Sequence, residues 1–112
     1  EVEEIEERLM DAVVPISGSS PAYVYMMIEA MADAGVLAGL PRKLAYKLAS
    51  QSIIGSAKMA LETNTHPGEL KDAVCSPGGT TIEAVVSLER SGFRSSIIDA
   101  MNACLEKTKK MG

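Results

Sequence analysis

The chain has 112 residues, 46% of them hydrophobic and 23% charged, with a net charge of −4, one Phe, three Tyr and no Trp. That length suits one domain able to bury about two thirds of its unfolded surface, and the acidic balance with few aromatics excludes a basic, base-stacking face for nucleic acid. No run approaches the roughly 20 apolar residues of a membrane span, and the acidic start Glu1-Val2-Glu3-Glu4 is the opposite of a signal peptide, so a cytoplasmic protein is expected.

Prolines mark where helices begin. Ser19-Ser20-Pro21 predicts an N-cap with proline at the first helical position, after which Val24, Met27, Ile28, Met31 and Gly35 share one face. Gly39-Leu40-Pro41 stops that helix and starts another from Arg42 to about Thr63. In it Ala45, Ala49, Ser52, Ser56 and Ala60 form a seam of small side chains suited to close helix approach, while Leu44, Leu48, Ile54 and Leu61 cover neighbouring faces. Such a helix is expected to be buried on most sides, and it needs a partner on more than one face, which predicts a dimer.

Pro67 opens a short helix with Leu70, Ala73 and Val74 facing inward, ending at Ser76-Pro77. The next runs from about Thr80 through Ile82, Val85, Val86 and Glu89 to Gly92. The last runs from Arg94 through Ile97, Met101, Cys104, Leu105 and Thr108, with Lys107, Lys109 and Lys110 suited to the negative end of its dipole. Apart from a few residues at the N-terminus, nothing alternates as a strand does. The fold class is all-α, a helical bundle of about six helices.

Candidate chemistry concentrates in Cys75-Ser76-Pro77-Gly78-Gly79-Thr80-Thr81, where a Pro-Gly-Gly turn opens directly into a helix. A helix N-terminus offers unpaired N–H groups and the positive end of the dipole, and glycines let a ligand reach that backbone. Each charge-assisted bond to a small carboxylate there contributes about 1.5–3 kcal/mol before ordering costs. The alternative is that Ser76 or Thr80 merely caps the helix and the glycines make a tight loop.

Elsewhere the residues favour structural roles. Cys75 and Cys104 lack metal-ligand spacing and read as reduced, small apolar residues, so no metal is expected. Met26, Met27 and Met31 read as core or interface filler. His66, the sole imidazole, precedes a proline at a helix start, where capping outweighs proton transfer. Glu29 with Asp33, and Lys43 with Lys47, read as solvated faces. No nucleophile–base pair can be assembled, and no Gly-x-Gly-x-x-Gly follows a strand, so the chain by itself does not bind a dinucleotide in the Rossmann manner.

Asp11-Ala12-Val13, Ser17-Gly18-Ser19-Ser20-Pro21-Ala22-Tyr23, Glu29 to Val36 and Gly39-Leu40-Pro41-Arg42 resemble the C-terminal domain of pyrroline-5-carboxylate reductases. The resemblance continues through Gln51, Gly55, Ala57-Lys58-Met59, His66-Pro67, Leu70-Lys71-Asp72, the Ser76-to-Thr81 loop, Ala84, Leu88-Glu89, Gly92-Phe93-Arg94 and the final helix. One departure is Ser20, where the family usually has Gly.

The resemblance implies an oxidoreductase that reduces 1-pyrroline-5-carboxylate to L-proline with NADPH or NADH, the cofactor being held mainly by an N-terminal Rossmann domain outside residues 1–112. It implies that this domain forms an interlocked homodimer that builds the substrate pocket, with dimers often assembling into decamers. It further implies that Ser76, Gly78, Gly79 and Thr80 hold the substrate carboxylate, and that Thr81 hydrogen-bonds the ring nitrogen and helps deliver its proton. The competing readings are a helical module that only self-associates and the helical domain of another Rossmann-type reductase acting on a larger acid.

Overall fold

The computed structural model describes residues 7–111; the N-terminal residues where extended chain was conceivable lie outside them. Among the described residues the elements are α1 (Glu7–Val13), a π turn (Val14–Gly18), α2 (Ser20–Leu37), α3 (Arg42–Thr63), α4 (Pro67–Val74), α5 (Thr80–Arg90) and α6 (Phe93–Met111), with no strand. The all-α expectation holds, and the starts of α3 and α4 fall where Pro41 and Pro67 predict.

The chain divides into two compact units, residues 7–25 with 89–111 and residues 26–88. In the first, α1, the π turn and α6 lie against one another, with Pro15 buried. Proline has no N–H to continue the helical ladder, and the N–H of Ser19 instead reaches five residues back to the Val14 carbonyl at 2.9 Å. Ser19 and Ser20 therefore do not cap α2 with their side chains, contrary to the sequence expectation. Ser19 has right-handed helical backbone angles (φ −100°, ψ −21°) where an N-cap needs extended ones, and the Ser20 hydroxyl donates to the Ile16 carbonyl. On α6, Met101, Cys104, Leu105 and Thr108 are half-buried as expected, and the Cys104 thiol donates to the Ser19 hydroxyl at 3.3 Å. Partial burial, followed by the neighbouring Cys104, pushes the Tyr23 phenol above its ordinary range.

In the second unit, α2 ends in a Schellman closure. Gly39 takes φ +111°, its N–H reaches the Val36 carbonyl, and the Leu40 N–H reaches the Gly35 carbonyl, both at 2.9 Å. A Cβ on Gly35 would lie 3.3 Å from the Ala45 Cβ, so α2 and α3 approach closely there. Ala32, Ala45 and Ala49 are buried, and the Arg42 guanidinium meets Asp33 at 2.9 Å. That carboxylate, then Tyr46, raises the Arg42 pKa. α3 stops at Asn64, which takes the left-handed conformation (φ 55°) that asparagine tolerates.

The expectation that α3 is buried on most sides fails for the single chain. Leu44, Leu48, Ile54 and Leu61 are all exposed, Ile54 by 64% and Leu61 by 83%. The small-residue seam also splits. Ala45 and Ala49 are covered within the chain, whereas Ser52 and Ser56 are exposed and open onto a groove of about 750 Å³ between α3 and α4. One copy leaves the apolar faces of its helices unfilled.

Candidate functional site

The turn between α4 and α5 is built by its own sequence. Cys75 ends α4, its N–H reaching back to the Asp72 carbonyl at 3.0 Å. The Ser76 carbonyl then accepts from the Gly79 N–H at 3.1 Å, closing a four-residue turn over Pro77 and Gly78. Gly78 has φ +68°, and a proline followed by a residue with positive φ is the type II pattern, which a side chain at the second site would strain. α5 begins at Thr80, so the amides of its first turn have no helical carbonyl to bond.

Gly79 is required for a different reason, which is steric. A Cβ there would lie 2.5 Å from the Ser76 Oγ and 3.3 Å from the Ser76 carbonyl oxygen, so the seryl side chain folds over the glycine. The Gly79 N–H is engaged in closing the turn, and the amides of the first turn of α5 follow from Thr80. Ser76, Gly78 and Thr80 are exposed, whereas Gly79 and Thr81 are half-buried. The arrangement brings together the Ser76 hydroxyl, a Cβ-free backbone and the positive end of α5, a combination that can accept a compact anion.

His66, expected to cap, does so. Its Nδ1 accepts from the Gly68 N–H at 3.0 Å at the start of α4. Sequence reasoning missed the part of Gly68, whose lack of a Cβ leaves room for the ring, although His-Pro-Gly at a helix start was a signal for it. Cys75 and Cys104 are free, half-buried thiols, and among the described residues no three metal-ligating side chains gather. Nor is any described helix long and apolar enough to cross a membrane.

The fold and this turn define an all-helical domain with uncovered apolar helix faces and a polar turn at a helix N-terminus. Residues 7–111 match the family model described as pyrroline-5-carboxylate reductase dimerisation, and the chain belongs to that family. It is 63% identical over 111 residues to a pyrroline-5-carboxylate reductase of Escherichia coli, covering 99% of this chain and 41% of that protein. Among solved structures it is similar to a Plasmodium falciparum pyrroline carboxylate reductase with NADP bound, with a TM-score of 0.93 and 44% identity over 98% of this chain and 42% of that one. A Coxiella burnetii pyrroline-5-carboxylate reductase matches with a TM-score of 0.93 at 35% identity, over 97% of this chain and 40% of that one. The chain thus spans about two fifths of the length of the relatives it matches.

Proposed function

We propose that this chain is the dimerisation and substrate-binding domain of a cytoplasmic reductase that converts 1-pyrroline-5-carboxylate to L-proline with NADPH or NADH, the last step of proline biosynthesis. The observation that carries the reading is the family match across residues 7–111, which includes the Ser76-to-Thr81 turn at the start of α5. The exposed faces of α3 and the groove beside α4 are filled by a second copy in an interlocked homodimer, the unit from which larger assemblies such as decamers are built.

The substrate carboxylate lies against the first amides of α5, with the Ser76 hydroxyl as a further donor and Gly78 and Gly79 allowing close approach. A charge so placed gains from the helix dipole and from donors fixed before the ligand arrives. Thr81, one residue further in, carries the hydroxyl that faces the ring nitrogen. As the imine carbon is reduced, the C=N electron pair moves to that nitrogen, which takes a proton, and a hydroxyl at this place stabilises the change. The nicotinamide supplies the hydride when bound. In this reading the cofactor is held mainly by an N-terminal Rossmann domain, as the family resemblance implies.

Assay of NAD(P)H-dependent proline formation tests the reading. The intact enzyme carrying this chain forms proline from the imine, and the 112-residue chain alone forms none. Turnover by the chain alone overturns the division of labour; an intact enzyme inert toward the imine overturns the activity.

A further inference from the structure

We draw no further inference here: the strongest candidate, the apolar groove of about 750 Å³ that Ser52, Ser56, Leu70 and Val74 line between α3 and α4, belongs to the association surface already described, and its filling by a second copy restates an established property of the family.

Discussion

α3 and the turn before α5 belong to the same compact unit but are finished in opposite ways. The turn is closed by its own residues: Ser76 accepts from Gly79, Gly78 supplies the positive φ, and Cys75 is tied to Asp72. α3 is a complete helix that leaves four large aliphatic side chains in water. Local backbone chemistry can shape a site in a single chain, whereas a surface for association shows as burial that the chain does not achieve alone. Elements of the first kind should tolerate loss of the partner, and those of the second should not.

The largest effect expected from separating the two is on assembly. Ile54→Glu puts a charge on the exposed apolar face of α3, where burying it costs far more than any surface contact returns, and should weaken dimerisation more than about 100-fold. Sedimentation at micromolar concentration should show monomers for this variant and dimers for the parent chain. Gly79→Ala should act on the turn alone. Its Cβ displaces the Ser76 hydroxyl, and KM for the imine should rise about 10- to 100-fold, as for loss of a charge-assisted hydrogen bond, with the dimer intact.

Ala49→Val sharpens the contrast within α3 itself. Ala49 is buried in the half of the seam already covered within the chain, so overpacking should cost about 1–3 kcal/mol, read as a lower melting temperature. The same change at the exposed Ser56 should be felt through the dimer instead. The smallest effect is expected at Arg42. Its pair with Asp33 is solvent-exposed on both sides, and Arg42→Ala should leave both association and melting nearly unchanged, the more so in high salt.

Much of the architecture was legible because the punctuation was strong. Pro41, Pro67 and the Gly78-Gly79 pair set the ends of α3, α4 and α5 nearly to the residue, and His66 before Pro67 was readable as a cap. The π turn at Val14–Gly18 was not, since Ser19-Ser20-Pro21 satisfies the pattern of an N-cap while the chain passes through it in helical conformation. The burial of α3 was misread for a different reason. Periodicity shows which side chains want cover but not whether the same chain supplies it, and here Ala45 and Ala49 are covered while Ile54 and Leu61 are not. At the candidate site, Pro-Gly-Gly before a helix made the turn itself legible, but that its Gly79 N–H is taken by the Ser76 carbonyl is a bond that no spacing rule contains.

The claim that the turn performs chemistry, and does not merely start a helix, is tested most directly by steady-state kinetics of Thr81→Ala in the intact enzyme, with Thr80→Ala beside it. Loss of a polar group that acts mainly in the transition state should lower kcat about 10- to 1000-fold with a smaller change in KM, and Thr80→Ala should do less because its backbone amide survives. A Thr81→Ala enzyme with unchanged kcat and a lower melting temperature would contradict the account and leave Thr81 as a structural residue of α5.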